Sequence, residues 1–197
     1  MNKIVFFLLM TGMLFSCNIN NSKTIETAEA ETEKPDFFPV TNYIKGQIIE
    51  IKSSGVNPLK ITTAAGKIDS VWLKFEEIDS AFTAFLTPQI DSANMFPYFK
   101  ESKFLDQTIA AFTFTYEPKK EIPAGIMLKR WDVYINPQNE KVKRIYIEKN
   151  TADNKEMQLS WQSRGSSKMV LIATDGAGKQ SIEKEELIKW NFDEEEL

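Results

Sequence analysis

The 197-residue sequence contains no histidine and a single cysteine, Cys17. Without an imidazole the chain cannot form a Ser-His-Asp triad, a histidine metal site or an imidazole acid–base pair. A single thiol also excludes a disulfide within the chain. The sequence therefore predicts no metal and no other cofactor, which leaves carboxylate, serine or lysine chemistry as the routes by which the protein could be an enzyme.

Basic residues are fewer than acidic residues. The chain has 24 Lys and Arg residues and 28 Asp and Glu residues, which gives a net charge of −4. Binding to nucleic acid depends on clustered basic side chains that neutralise phosphates, so this balance argues against a nucleic-acid partner. The hydrophobic fraction of 42%, with 14 Phe and 4 Trp, is nevertheless sufficient for one sizeable core.

An apolar run lies near the N-terminus, at residues 4–15. The basic Lys3 precedes it, and the small Ser16 follows it. The run is shorter than the roughly 20 residues that a membrane-spanning helix needs. A short basic flank, a short apolar core and a small residue before the cleavage point are typical of an export signal. We therefore expect residues 1–16 to be a signal peptide.

The four residues Leu14, Phe15, Ser16 and Cys17 resemble the lipobox of bacterial lipoprotein precursors, with Leu14, Ser16 and Cys17 at matching positions. The resemblance implies that the signal peptide is removed and that Cys17 becomes the acylated first residue of the mature protein. Two or more acyl chains hold a protein stably on a membrane, because each buried methylene contributes about 0.8 kcal/mol. The membrane is thus the first predicted partner.

The residues that follow Cys17 indicate where the anchored protein resides. Asn18 stands where some lipoproteins carry an aspartate that retains them in the inner membrane. By resemblance, this favours the outer membrane, with the protein facing the periplasm. Residues 17–35 are polar and have no periodic apolar positions, so they cannot bury enough apolar surface to offset the entropy of ordering. We expect a flexible tether there.

Residues 36–197 are expected to form one α+β domain. In the first half, "VTNYIKGQIIEIKSSG" and "LKFEEIDSAFTAFLTP" carry apolar residues at helical spacing and predict two helices. Between them, "LKITTAAGKIDSVWL" predicts two short strands around Gly66. In the second half, "AFTFTYE", "IMLKRWDVYI", "VKRIYIEK", "EMQLSWQS", "KMVLIATD" and "LIKWNF" predict strands. The expected fold is an antiparallel β-meander of five or six strands, covered on one face by the two N-terminal helices.

The stretches "FFPVTNYIKGQI", "PLKITT", "FLDQTIAAFTFTYEPKK" and "WDVYINP…KVKRIYIEK" are similar to a family of uncharacterised Bacteroidota lipoproteins. This resemblance covers most of residues 36–193. It supports a lipid-anchored envelope protein but implies no activity.

A carboxylate pair is the strongest enzymatic alternative. Asp132 and Glu148 fall on neighbouring predicted strands, and glycoside hydrolases use two such acids. Arg130 and Arg144 lie beside them, however, which favours a cross-strand ladder of ion pairs. The "SIEK" segment has the spacing of a serine–lysine motif but lacks the motifs that accompany it. We therefore expect a non-catalytic binding or structural module, with a hydrolase acting on envelope glycans as the alternative. A buried acid without a basic partner would favour the hydrolase.

The segment "DSANMFPYFKESKFLDQ", residues 91–107, is long and aromatic for a connection between elements. We expect it to fold over one end of the sheet. Phe96, Tyr98 and Phe99, together with Trp131, would then line an apolar patch for a lipid or for an extended segment of an envelope protein. In the alternative interpretation, these aromatic residues only cover the core.

Overall fold

The structure is a computed structural model that describes residues 37–120 and 122–192. Cys17, the predicted signal peptide and the predicted tether lie outside the described residues. The described residues build one large antiparallel sheet with a helix, α1, packed on one face. We call this the core face, and the opposite side the outer face. No helix within the described ranges is long and apolar enough to cross a membrane.

The sheet has nine strands, and its order is β2-β1-β9-β8-β7-β6-β5-β4-β3. Strands β3 to β9 follow one another as an antiparallel meander, whereas the β1–β2 hairpin joins the meander through pairing of β1 with β9. The edge strands are therefore β2 and β3. The strand bounds are β1 (Leu59–Ala64), β2 (Lys67–Trp72), β3 (Phe99–Asp106), β4 (Ala111–Pro118), β5 (Leu128–Ile135), β6 (Val142–Asn150), β7 (Glu156–Gln162), β8 (Ser166–Thr174) and β9 (Gln180–Lys189).

Helix α1 (Val40–Ser53) supplies the apolar layer over the sheet. Val40, Ile44, Ile48 and Ile51 recur at helical spacing, and all four are buried in the core. The remaining helices are short. They are a 3₁₀ turn (Phe75–Glu77), α2 (Ile78–Ala81), α3 (Thr83–Leu86) and α4 (Ser92–Met95).

Aromatic rings pack against one another on the core face of the sheet. Trp131 of β5 stacks on Tyr116 of β4 with 4.6 Å between ring centroids. Trp161 of β7 meets Phe82 edge-on at 5.0 Å. Offset stacking and edge-on contacts are the arrangements that aromatic pairs prefer. The first contact joins two neighbouring strands, and the second ties the helical segment at Phe82 to the middle of the sheet.

The predicted meander of five or six strands under two helices is wrong. The sheet has nine strands, and the second helix is broken into the 3₁₀ turn, α2 and α3. The break falls at Phe82, where the backbone leaves helical values (φ −101°, ψ 5°) while the side chain packs against Trp161. The missed strand β3 lies in the segment that we expected to be a connection, and β9 begins in a charged stretch that lacks apolar alternation.

Candidate functional site

The four residues of the predicted apolar patch occupy different environments. Phe99 and Trp131 are fully buried, with 4.8 Å between their ring centroids. Phe37 packs edge-on against Trp131 at 6.1 Å. Phe96 and Tyr98 keep some exposed surface. Phe99 and Trp131 therefore belong to the core in this conformation, and binding by Phe96 and Tyr98 stays a prediction.

The segment from residue 91 to 107 contains a short helix and a strand rather than an irregular connection. It forms the short helix α4 and then pairs with β4 as the edge strand β3. Lys119 fastens the turn between them, because its Nζ donates to the Phe96 carbonyl at 2.9 Å and lies 4.6 Å from the centre of the Phe96 ring. Residues 99–106 are thus part of the sheet edge, whereas Phe96 and Tyr98 lie in the turn between α4 and β3.

Asp132 and Glu148 lie on the outer face but are not directly opposite each other. Asp132 faces Tyr146 across the strands, and Glu148 faces Arg130. Nη2 of Arg130 lies 2.7 and 3.0 Å from the two carboxylate oxygens of Asp132. Within the described residues, Asp132 is the one acidic residue that is buried, and it carries this basic partner. The condition that would favour a hydrolase is therefore not met here.

Glu148 also has a basic partner, and this partner is Lys129 rather than the predicted Arg130 or Arg144. Lys129 contacts Glu148 and reaches Glu156 at 2.9 Å. Hydrogen bonding to Glu148 and then to Glu156 raises the pKa of the Lys129 ammonium. Arg144 takes no part in this group, since its guanidinium lies 4.0 Å from the centre of the Tyr134 ring. The ion pairs therefore differ from the predicted cross-strand ladder: Arg130 pairs with Asp132 within β5, and only Lys129 joins neighbouring strands, to Glu148 and Glu156.

A buried lysine is a further charged feature. Lys149 lies on the core face of β6, and its Nζ donates to the carbonyl oxygens of Ala84 at 2.6 Å and of Thr87. No described carboxylate is within ion-pair distance of it. Burial lowers the pKa of the Lys149 ammonium to about 8. The side chain thereby holds the end of α3 onto the sheet.

A polar cleft opens at the edge of the core face, where the N-terminal half of α1 meets two turns of the sheet. Its volume is about 640 Å³, which is within the range of small-molecule sites. The walls come from α1, from the β5–β6 turn with the start of β6, and from the β7–β8 turn. The lining residues are Phe38, Tyr43, Gln47, Asn136, Asn139, Glu140, Lys141, Val142, Lys143, Ser163 and Arg164.

The β5–β6 wall of the cleft is held by hydrogen bonds within the turn. The Asn136 amide donates to the Lys141 carbonyl at 2.8 Å, and the Glu140 amide donates to the Asn136 carbonyl at 2.9 Å. The side-chain oxygen of Asn139 accepts from the Lys141 amide at 3.1 Å, and that of Asn136 accepts from the Gln138 amide at 2.8 Å. Such Asx contacts fix a turn locally. These hydrogen bonds therefore fix the conformation of this wall without a ligand.

The α1 wall is joined to the β7–β8 turn by one side-chain hydrogen bond. The Tyr43 hydroxyl donates to Ser163 Oγ at 2.9 Å. Burial raises the pKa of the Tyr43 phenol, so this group stays protonated at neutral pH. The ring of Phe38 lies 5.6 Å from that of Tyr43 and adds an aromatic surface beside the polar groups. The cleft combines aromatic surface with hydroxyl, amide and charged groups.

The lining of the cleft was not predicted as a site. The sequence predicts the turn at Asn136–Pro137–Gln138–Asn139, but the partners of this turn on α1 and at Ser163 are far away in the chain. Their assembly depends on the strand order, which periodicity alone does not give. The one available signal is the basic run "KVKR" directly after the turn.

The edge strand β2 carries apolar side chains that are exposed. All six of its residues are exposed, and Ile68 is 74% exposed. Trp72 packs on Phe192 with 5.6 Å between ring centroids, yet both keep about half of their surface accessible. Exposed apolar edges can pair with another strand. No contact in the described structure indicates what would cover this one.

No group of three metal-ligating side chains is arranged around a common point in the described ranges. No protein-family model, curated protein or solved structure matches the chain. The resemblance to Bacteroidota lipoproteins therefore stays a prediction.

Proposed function

We propose that the chain is a lipid-anchored envelope protein that binds an envelope component without transforming it. The observation that carries this proposal is the cleft between α1 and the β5–β6 and β7–β8 turns, which has a volume of about 640 Å³ and walls held by hydrogen bonds. A preformed concave site with convergent polar groups is the usual form of a ligand site. The binding surface is then the cleft rather than the aromatic segment.

The charges near the sheet support binding rather than hydrolysis. Glycoside hydrolysis needs one acid that can give up a proton and a second carboxylate nearby. Asp132 is held by Arg130, and Glu148 is held by Lys129. Both carboxylates therefore serve as ion-pair partners on the outer face of the sheet.

The anchor in this proposal is Cys17, and its support is the lipobox-like sequence from Leu14 to Cys17. A diacylated residue gives stable attachment, and the outer membrane facing the periplasm is the proposed location. The tether of residues 17–35 would let the folded part reach components near the membrane surface.

Substitution of the predicted anchor tests this proposal. Cys17→Ser should abolish incorporation of a labelled fatty acid and release the protein from the membrane fraction, because the thiol that carries the acyl chains is gone. A matched control is Cys17→Ser combined with Ser22→Cys, which returns a thiol to the tether but not to the lipobox position. Labelling in either variant would overturn the anchor assignment.

A further inference from the structure

We infer that the cleft binds an acidic saccharide, meaning a sugar that carries a carboxylate or a phosphate. This inference deepens the proposed function and rests on it for the setting in the cell envelope. It follows from the charge, the hydrogen-bonding groups and the aromatic surface of the lining.

The charge of the cleft is opposite to that of the chain. Lys141 and Lys143 line the cleft with one acid, Glu140, so the balance is positive even before Arg164 is counted. The whole chain has a net charge of −4. In the described structure neither lysine is within ion-pair distance of a carboxylate. Lys143 Nζ instead donates at 2.9 Å to the carbonyl of Ile109, in the β3–β4 turn, so within the described residues Lys141 is the ammonium of the lining that has no such bond.

Most of the uncharged side chains add donors, and Gln47 is the exception. Its Nε2 donates to Glu50 at 2.6 Å, which leaves its side-chain oxygen as an acceptor. The side-chain oxygens of Asn136 and Asn139 accept hydrogen bonds from the turn, and within the described residues their amide nitrogens have no acceptor. Ser163 Oγ accepts from Tyr43 and so keeps its own proton for a ligand. Donors and ammonium groups together recognise the oxygens of carboxylates, phosphates and sugar hydroxyls.

The aromatic surface distinguishes a sugar from a simple anion. Phe38 and Tyr43 place two rings at 5.6 Å, tilted by 59°, within the lining. The volume of about 640 Å³ exceeds what a single inorganic anion fills and suits a sugar of a few rings. A ring face of a sugar can lie on this apolar wall while its acidic group reaches Lys141.

Calorimetric titration of the full chain in detergent tests the inference. The ligands are trigalacturonate, which carries carboxylates, glucose 6-phosphate, which carries phosphate, and maltotriose as a neutral match. We expect at least one acidic sugar to bind about tenfold or more tightly than maltotriose, and high salt to weaken that binding. Binding of only one of the two acidic sugars identifies which acidic group is recognised.

Charge reversal at one lysine localises the binding. Lys141→Glu should weaken binding of the acidic sugar by about tenfold or more, because it places a like charge beside the ligand. Lys179→Glu makes the same charge change in the exposed β8–β9 turn, outside the cleft lining, and should leave the affinity unchanged.

Three results would overturn the inference. They are no binding of either acidic sugar, equal affinity for maltotriose, or equal losses in the two lysine variants. Failure of the proposed function is recognised separately, since it appears as persistent acylation or membrane retention of the Cys17→Ser variant, whatever the cleft binds.

Discussion

Lys149 is a lysine whose side chain is buried, with 8% of the residue's surface exposed. It lies on the core face of β6 in register with Leu128 and Met157, and its Nζ donates to carbonyl oxygens at the end of α3. The alternation in "VKRIYIEK" that points Ile145 and Ile147 inward also points Lys149 inward. The sequence therefore contained the signal for a buried lysine, although its partners could not be read from the strand alone.

Burial of Lys149 predicts that stability rises with pH in the alkaline range. The pKa falls from 10.5 to about 8 on folding, so between these values the unfolded chain binds more protons than the folded chain. The free energy of unfolding should then increase by up to about 1.4 kcal/mol per pH unit. Chemical denaturation at intervals from pH 7 to 9 measures this slope, one unit below the ordinary tyrosine pKa of 10.0.

The matched variant for this prediction is Lys149→Met, which keeps the length of the side chain and removes the titrating group. Its stability should be nearly independent of pH between 8 and 9, whatever its absolute value. The same slope in both proteins would show that another group is responsible.

At the scale of single elements, α1 carries a residue that weakens it. Gly46 lies within the helix, and no described atom comes within 4 Å of a methyl group built at that position. Gly46→Ala should therefore raise the free energy of unfolding by about 0.5–1 kcal/mol, because alanine loses less backbone entropy in a helix. Denaturant titration of the variant and the parent measures the difference.

Gly66 provides the control for this substitution. It also has open space around it, but it lies in the β1–β2 turn with a φ of +74°. Alanine adopts that conformation poorly, so Gly66→Ala should destabilise the protein. Equal stabilisation by both substitutions would mean that the helical conformation of α1 is not the cause.

Elements with a clear apolar period were predictable, and elements shaped by tertiary contacts were not. Helix α1 and the β1–β2 hairpin were confirmed, because Ile44 and Ile48 repeat at helical spacing and Gly66 marks the turn. Strand β3 was missed because Phe99 is its only buried residue and the rest of the edge strand is exposed or half-exposed. The second helix was predicted as continuous, but packing of Phe82 against Trp161 interrupts it.

At the scale of the whole molecule, the described residues share one hydrophobic core, which lies between the helices and the middle of the sheet. Trp131, Ile145, Ile147 and Leu159 belong to β5, β6 and β7, and all are buried there. The cleft lies beside this core, since α1 forms one of its walls and the β5–β6 and β7–β8 turns form the others. The predicted patch and the observed cleft differ because strand order, rather than local sequence, determines where the core stops.

Because buried residues are concentrated in the middle strands, we expect local stability to decrease from the middle of the sheet toward β2. Strand β2 is hydrogen-bonded on one side only, to β1, and none of its residues is buried. Strands β5 and β6 pair on both sides and hold buried residues in the main core. Amide hydrogen exchange followed by mass spectrometry should therefore show fastest exchange in β2 and slowest in β5 and β6, because opening free energy follows buried apolar contact. Protection of β2 equal to that of β5 in the isolated protein would contradict this gradient and would mean that another chain covers the exposed edge around Trp72.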